Sequence, residues 1–165
     1  EMVGGHGIFT KYAGLFEEAL HVPLVARVPS CGAGRVQDGF VSGVDLMPTF
    51  AELAGAQPPA CHGRSLVPAL CGRDPSPRED LLCQYHGDGV GFYTLRSVRT
   101  ARWKYVHAPY AADELYDLSA DPGETRNLVA APEAAAVRDE MRRRLLRWME
   151  AVGDPLARTS PRLWA

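Results

Sequence analysis

The stretch Thr94-Leu-Arg-Ser-Val-Arg-Thr100, followed after two residues by Trp103-Lys-Tyr-Val-His107, decides the fold class of this chain. Both runs contain β-branched or aromatic residues that fit a pleated sheet. Similar runs lie on either side, at residues 81–85 and 114–118, and residues typical of turns separate all four. Because the connections are short, we predict an antiparallel meander of four strands.

An amphipathic segment follows the predicted strands. From about residue 132 to residue 152, apolar residues recur at helical spacing among many arginines, which predicts a helix with one apolar face. We expect the sheet to pack against this helix through Trp103, Tyr105, Tyr116 and Leu118. The arginines of the helix are expected to form a solvated basic face, made of Arg138, Arg142, Arg143, Arg144 and Arg147.

The first half of the chain indicates shorter elements. Residues 1–22 are typical of a loop with one short helical turn, and the apolar residues 23–28 predict a buried strand. Asp45 is expected to be the N-cap of a helix that ends at Gly55. A second short helix is predicted within residues 63–72.

The polar and proline-rich residues 73–79 predict a joint between two parts of the chain. We therefore predict an α/β fold in which residues 1–72 end an α/β domain. Residues 73–165 would form a second part, a small antiparallel sheet with a C-terminal helix.

Composition limits the partners of this chain. Its 165 residues are enough for a globular core, and a net charge of −2 makes nucleic acid an unexpected partner. No apolar run reaches the roughly 20 residues that span a bilayer. Ala and Gly are abundant, and Arg is much more frequent than Lys. This composition is typical of a GC-rich bacterial genome. Cytoplasm, periplasm and secretion all stay open as locations, with the cytoplasm slightly favoured.

The four cysteines are Cys31, Cys61, Cys71 and Cys83, and no two of them form a Cys-x-x-Cys pair. Zinc binding is therefore not expected. We expect four free thiols in a reducing compartment, and a bridge between Cys61 and Cys71 is the alternative.

A glycine-rich loop at the start of the chain carries the first candidate site residues. Met2-Val-Gly-Gly-His-Gly-Ile-Phe-Thr-Lys11 places His6 and Lys11 among three glycines, which allow left-handed backbone and close approach to a ligand. A lysine in such a loop suits an oxyanion such as phosphate or sulfate. The adjacent Glu17 and Glu18 are interpreted as structural, because neighbouring helical residues point in different directions.

A second glycine-rich stretch, Gln84-Tyr-His-Gly-Asp-Gly-Val-Gly91, follows a predicted strand. Its His86 is a candidate substrate-binding residue, and a surface-turn histidine is the alternative interpretation. Tyr93 and Arg96 are weaker candidates for the same pocket rim.

Several blocks of this sequence resemble the type I, formylglycine-dependent sulfatases of the alkaline phosphatase superfamily. The blocks occur in the order of that family and cover roughly residues 1 to 150. They are Gly-His-Gly-x-x-x-Lys11, Phe16-Glu-Glu, His21-Val-Pro-Leu24, Val41-Ser-Gly-Val-Asp-Leu-Met-Pro-Thr49, Gly63-Arg-Ser-Leu66, Arg96-Ser-Val-Arg-Thr100, Arg102-Trp-Lys-Tyr105, Glu114-Leu-Tyr-Asp-Leu118 and Asp121-Pro-Gly-Glu-Thr-x-Asn-Leu128.

The resemblance implies roles for the candidate residues. Lys11 would point at the sulfate group as a catalytic cation. His6 would bind substrate or orient the metal-site loop, and a structural role as a cap of the glycine turn is the alternative. His86 would lie on a subdomain that rims the substrate pocket. The fold implied is the end of an alkaline-phosphatase-like α/β sulfatase domain followed by the small sheet and helix.

The family's nucleophile and metal ligands have no counterpart in this chain. Formylglycine is made from Cys or Ser in a Cys/Ser-x-Pro-x-Arg motif, which does not occur in the sequence. The resemblance therefore implies that the formylglycine and a divalent metal, usually Ca²⁺, belong to residues upstream. The chain resembles the C-terminal third of a sulfatase, and alone we expect it to be inactive, to expose apolar surface and to be poorly soluble.

The predicted function is hydrolysis of a small-molecule or carbohydrate sulfate ester by the parent protein. A phosphodiesterase or phosphonate monoester hydrolase of the same superfamily is one alternative, because sulfate and phosphate have nearly the same shape. A non-catalytic binding module is the other. Nothing in the sequence indicates the oligomeric state.

Overall fold

The computed structural model describes residues 2–10, 14–29, 31–32, 34–73, 78–87, 93–160 and 163. The chain divides into two compact units. One contains Glu1–Val22 with Asp80–Ala165, and the other contains Pro23–Glu79. Within the described residues, no helix combines the length and the apolar character needed to cross a membrane. The assignment of residues 1–72 and 73–165 to two parts of a larger fold stays a prediction.

The first unit contains a four-stranded antiparallel sheet. Its strands are β1 (Asp80–His86), β2 (Thr94–Thr100), β3 (Trp103–His107) and β4 (Glu114–Asp117). Their order in the sheet is the order in the chain, with every neighbouring pair antiparallel. The predicted meander is therefore confirmed.

One face of this sheet packs against C-terminal helices. A 3-10 turn at Pro132–Ala134 leads into α4 (Ala135–Ala151), and α5 (Leu156–Thr159) comes after it. Helices α1 to α3 lie earlier in the chain and are described below. Apolar residues two apart on the strands meet the apolar face of α4 in one core. The fully buried members of that core are Val98, Tyr105, Leu115, Leu145 and Met149.

The predicted surface of α4 needs two corrections. Arg143 and Arg147 are exposed as expected, but Arg144 donates to Asp80 on β1 at 2.8 Å. Arg142 donates through Nε to the hydroxyl of Tyr105 at 3.2 Å. Helix and sheet therefore contact each other through arginines at the edges of the apolar core, which periodicity alone does not show.

The opposite face of the sheet carries the N-terminal segment. Here α1 (Glu17–Leu20) and Leu15 lie near a small cluster of Leu95, Val106 and Ala108. Tyr116 pairs in register with Lys104 and belongs to this face by the alternation of the strands. The expectation that Tyr116 packs under the terminal helix was therefore wrong, whereas Tyr105 lies in that core.

The turn after β4 is fixed by its own side chains. The carboxylate of Asp121 accepts hydrogen bonds from the Arg126 amide at 2.8 Å and the Thr125 hydroxyl at 3.0 Å. Asn127 accepts from the Leu115 amide at 3.0 Å and donates to the Asp113 carbonyl at 3.1 Å. These contacts give the Asp-Pro-Gly-Glu-Thr-x-Asn block a structural explanation.

The second unit is built around a buried carboxylate. A 3-10 turn at Gly43–Asp45 leads into α2 (Leu46–Leu53), and α3 is Val67–Leu70. The Asp45 side chain accepts from the Ser42 amide at 2.8 Å and the Arg64 amide at 2.9 Å, and it pairs with Arg78. Asp45 thus joins three segments. The predicted N-cap role was wrong, because the Asp45 side chain makes no capping bond to α2 and is instead the N3 residue of a capping box that begins at Ser42.

The apolar segment at residues 23–28 is not a strand, contrary to the prediction. It has no strand assignment, and most of it is exposed. A strand needs neighbouring strands to satisfy its backbone amides and carbonyls, and the described part of this unit contains none. Hydrophobicity alone therefore overstated the local structure.

The cysteines differ from both expectations. Cys31 and Cys71 form a disulfide, with their Cα atoms 4.7 Å apart, a separation within the ordinary disulfide range. Cys61 and Cys83 are free. The expectation of four free thiols was wrong for Cys31 and Cys71, and the alternative of a Cys61–Cys71 bridge named the wrong partner.

Candidate functional site

The glycine-rich loop is closed by its own backbone. The Gly4 amide donates to the Ile8 carbonyl and the Gly5 amide to the Met2 carbonyl, both at 2.8 Å. The Met2 amide donates to Thr10, the residue before Lys11, at 3.3 Å. Each residue has one backbone N–H donor, so the amides of Met2, Gly4 and Gly5 are used inside the loop.

The loop places His6 in a left-handed conformation, with φ of 51°. Its ring stacks on Phe16 with centroids 3.7 Å apart and planes 15° apart. Its Nε2 lies 3.9 Å from Glu18 Oε2, and 17% of the side chain is exposed. The ring is thus held in one orientation, on the sheet face that carries α1.

Lys11, the predicted catalytic cation, lies outside the described residues. Its position in the chain, one residue after Thr10, is a fact of the sequence. Its role as a catalytic residue stays a prediction.

A cluster that sequence reasoning missed lies beside this loop. The Lys104 ammonium pairs with Glu17 Oε1 at 3.2 Å and with Glu124 Oε1. The Glu17 amide, at the start of α1, donates to Glu124 Oε2 at 2.7 Å. We call Glu17, Lys104 and Glu124 the N-terminal clamp. Its members come from the three blocks Phe16-Glu-Glu, Arg102-Trp-Lys-Tyr and Asp121-Pro-Gly-Glu-Thr.

The clamp is a buried arrangement of charges. The side chains of Lys104 and Glu124 are fully buried, and 18% of the Glu17 side chain is exposed. Burial alone would raise the pKa of Glu17, but Lys104 and Arg99 hold that pKa below its usual range. Burial raises the pKa of Glu124 against the opposing effect of Lys104. Glu17 is structural, as its sequence context indicated.

His86 ends β1 and is exposed, with its Nδ1 3.4 Å from the hydroxyl of Thr94. Strand alternation places it on the same face as Gln84, which contacts Asp154 after α4. That is the face opposite to the one with α1. Among the contacts of the described residues, none joins His6 to His86, and the substrate-binding role of each stays a prediction.

Arg96 is not a pocket residue, contrary to the weaker prediction. It is 2% exposed, pairs with Asp154, and donates to the Thr94 hydroxyl at 2.7 Å. Tyr93 is 38% exposed and precedes β2. A buried guanidinium with these partners holds the sheet to the segment after α4.

The described residues contain no group of three or more His, Cys, Asp or Glu side chains that could hold a metal ion. These residues alone therefore do not fit a resident divalent metal. The location of metal ligands and formylglycine upstream of this chain stays a prediction.

The comparison with protein families identifies the class of this chain. Residues 4–151 match the family described as N-sulphoglucosamine sulphohydrolase, C-terminal. The chain belongs to this family of C-terminal sulfatase domains, within the alkaline phosphatase superfamily. The match covers both the glycine-rich loop and the sheet with α4.

Curated relatives carry the same assignment. The chain is 32% identical to an uncharacterized sulfatase, YidJ, of Escherichia coli (strain K12), over 94% of this chain and 31% of that protein. It is also 32% identical to PehA of Trinickia caryophylli, a multifunctional alkaline phosphatase superfamily protein, over 93% of this chain and 33% of that protein. The chain spans about a third of the length of these relatives.

A solved structure shares the fold. The crystal structure of a putative sulfatase from Bacteroides thetaiotaomicron superposes with a TM-score of 0.85 at 28% identity, over 93% of this chain and 35% of that one. This similarity confirms the predicted fold class, in which a small antiparallel sheet carries a C-terminal helix.

Proposed function

We propose that this chain is the C-terminal part of an enzyme that hydrolyses sulfate esters, with Lys11 and His6 at the transferring sulfate group. The observation that supports the proposal most strongly is the family match, which begins at Gly4 and so includes the loop of His6 and Lys11. In the described part of that loop, the His6 ring is held by Phe16 and Glu18.

The chemistry of these side chains suits the reaction. Cleavage of a sulfate ester increases negative charge on the transferring group and the leaving oxygen, and a fixed cation there lowers the barrier. Lys11 would supply that cation. His6 would donate a hydrogen bond to the sulfate from a ring that lies 3.9 Å from Glu18 Oε2. His86 would contact the rest of the substrate at the pocket rim.

The proposal includes calcium and formylglycine. Sulfatases use a divalent metal and a formylglycine nucleophile, and we propose Ca²⁺ as the metal. Both would be held by residues outside this chain, since its described residues offer no metal site.

The substrate class is proposed as a sulfated carbohydrate or a small-molecule sulfate ester. The matching family is named after an enzyme acting on a sulfated amino sugar, which favours a carbohydrate. The chain is also similar to a solved phosphonate monoester hydrolase from Silicibacter pomeroyi, with a TM-score of 0.69 at 27% identity over 76% of this chain and 28% of that one. This similarity favours a phosphodiesterase or phosphonate monoester hydrolase as the second candidate. A non-catalytic binding module is the third candidate. The activity panel described below separates it from the two enzymatic candidates.

The second unit exposes apolar side chains, which supports the proposal that the chain is one part of a larger enzyme. The exposed fractions of Val25, Val36 and Phe50 are 95%, 85% and 63%. Single exposed apolar residues are ordinary, but neighbouring ones mark a contact surface, and on α2 the exposed Leu46 lies one helical turn before Phe50. We therefore expect residues 1–165 expressed alone to be poorly soluble, and a sharp monomeric unfolding transition would contradict this.

The test is an activity panel on the full-length polypeptide that carries this chain. We expect 4-nitrophenyl sulfate to be hydrolysed with a kcat/KM at least about 100-fold above that for bis(4-nitrophenyl) phosphate or a phenylphosphonate monoester. Residues 1–165 alone are the matched control and should show no turnover. A preference for either phosphorus substrate would contradict the sulfatase proposal, and no turnover of any substrate would favour a binding module.

A further inference from the structure

The N-terminal clamp holds a lysine in an unusual place. Lys104 is fully buried on β3, whereas lysine is almost never fully buried unless it is paired. Its two partners belong to segments far from β3 in the sequence, α1 and the turn after β4. The charges of the clamp therefore neutralise each other and also join β3 to α1 and to the turn after β4.

The clamp also contains backbone strain. Glu124 has a φ of 52°, a left-handed conformation that favours glycine and that other residues adopt only where their surroundings fix them. This conformation accompanies two contacts of one carboxylate, to Lys104 and to the Glu17 amide. The start of α1 is thus held twice at Glu17, by Glu124 at the backbone amide and by Lys104 at the side chain.

The position of α1 in turn sets the surroundings of His6. Phe16, which immediately precedes Glu17, provides the ring on which His6 stacks. Glu18, which immediately follows, lies 3.9 Å from His6 Nε2. A Cβ atom at Gly5 would be 3.2 Å from Glu18 Oε1, so this carboxylate also packs against the loop backbone.

We propose that the N-terminal clamp positions His6 for oxyanion binding, with Lys104 and Glu124 as positioning residues. The inference rests on the proposed sulfatase function. Among the contacts of the described residues, neither Lys104 nor Glu124 touches His6. Each acts through Glu17, whose neighbours Phe16 and Glu18 hold the imidazole ring. Loss of the clamp would release α1 and let the ring leave its orientation while the α4 face of the sheet stays packed.

The test compares clamp variants with a destabilising variant on the other face of the sheet. Lys104→Met removes the buried cation, and Glu124→Gln keeps the shape of the side chain but removes its charge. Leu145→Ala is the control, because Leu145 is fully buried in the α4 core and touches neither α1 nor the loop in the described contacts. All three are made in the full-length polypeptide.

The first readout is the inhibition constant of inorganic sulfate against 4-nitrophenyl sulfate, together with KM. Neither quantity depends on the fraction of enzyme that is active, so a loss of stability alone would not change it. We expect Lys104→Met to raise the inhibition constant about tenfold and Glu124→Gln about threefold. Leu145→Ala should stay within about twofold of the unmodified protein.

The second readout is hydrogen exchange of peptides from residues 2–10 and 14–22, which needs no activity. Faster exchange there in Lys104→Met, but not in Leu145→Ala, is expected. Equal exchange of those peptides in both variants, or an unchanged inhibition constant in Lys104→Met, would overturn the proposal. If Lys104→Met does not fold, Glu124→Gln decides by the same criteria. If the unmodified protein neither cleaves nor binds sulfate, the sulfatase proposal fails and the exchange comparison still decides the role of the clamp.

Discussion

Replacing Asp113 by asparagine should destabilise the sheet more than any change of similar size on its surface. The Asp113 carboxylate accepts from the Tyr105 hydroxyl at 2.6 Å, from His107 Nδ1 at 3.0 Å and from the Ala108 amide at 3.1 Å. Its side chain is 4% exposed, so water cannot replace these partners.

The expected loss of stability in Asp113→Asn follows from the hydrogen bonds that the Asp113 carboxylate accepts. A hydrogen bond to a charged group contributes about 1.5–3 kcal/mol. Asparagine has one acceptor oxygen where aspartate has two, and its amide would face groups that already donate. The loss of one to two of these bonds predicts a decrease of about 3 kcal/mol in the free energy of unfolding.

Acid should remove the same stabilisation in the unmodified protein. Burial would raise the pKa of Asp113, but the bonds from His107 and Tyr105 hold it below its ordinary value. A carboxylate with a lowered folded pKa stabilises the protein above its unfolded pKa of about 3.9 and loses that effect as the pH falls through the folded pKa. The difference between Asp113→Asn and the unmodified protein should therefore shrink below about pH 4.

The assay is urea unfolding read by hydrogen exchange of peptides from β3 and α4, at pH 7 and at pH 3. Asp139→Asn is the control, because it changes an aspartate of α4 that is half exposed and pairs with Arg138. That control should change stability by less than about 0.5 kcal/mol. The reasoning is refuted if Asp113→Asn matches the control at pH 7, or if its effect does not decrease at pH 3.

Two further predictions concern the second unit. A Cβ atom at Gly63 would overlap the Val44 carbonyl group. Gly63→Ala should therefore lower the free energy of unfolding by about 3 kcal/mol and speed hydrogen exchange of residues 43–53. Unchanged exchange would contradict this. Peptide mapping without reductant should recover Cys31 linked to Cys71 and should label Cys61 and Cys83 as free thiols. Alkylation of all four cysteines without reduction would contradict the disulfide.

The sheet and α4 could be predicted because their signals are local. The segments of β2 and β3 contain β-branched and aromatic residues and are bounded by turn residues, and the predicted bounds of both are those observed. The predicted helix at 132–152 corresponds to the 3-10 turn and α4. Short connections then leave the antiparallel meander as the simple arrangement.

The remaining features depend on distant residues. The burial of Lys104 is explained by its pairing with Glu17 and Glu124. These three residues are too far apart in the sequence for a short stretch to contain them all. The pairing of four cysteines has three possible connectivities, and spacing does not choose among them. Residues 23–28 are as apolar as a buried strand, but their structure depends on whether neighbouring strands are present.

The family blocks were useful for identification because they pointed to sulfatases, although several of their residues serve the fold. Asp45, Asp121 and Asn127 hold backbone segments together. The glycines of the loop were predicted to allow left-handed backbone, and Gly4 and Gly7 adopt it, with φ of 96° and 74°, whereas Gly5 does not. Its internal hydrogen bonds could not be read from the sequence, because they depend on the closed shape of the loop.

The most direct test of the central claim is the kcat/KM of Lys11→Ala for 4-nitrophenyl sulfate in the full-length polypeptide. Arg143→Ala, which removes an exposed cation of α4, is the control for loss of positive charge. We expect Lys11→Ala to lower kcat/KM at least about 100-fold and the control to leave it within about twofold. A Lys11→Ala enzyme within about tenfold of the unmodified one, or about 1.4 kcal/mol of barrier, would contradict the account.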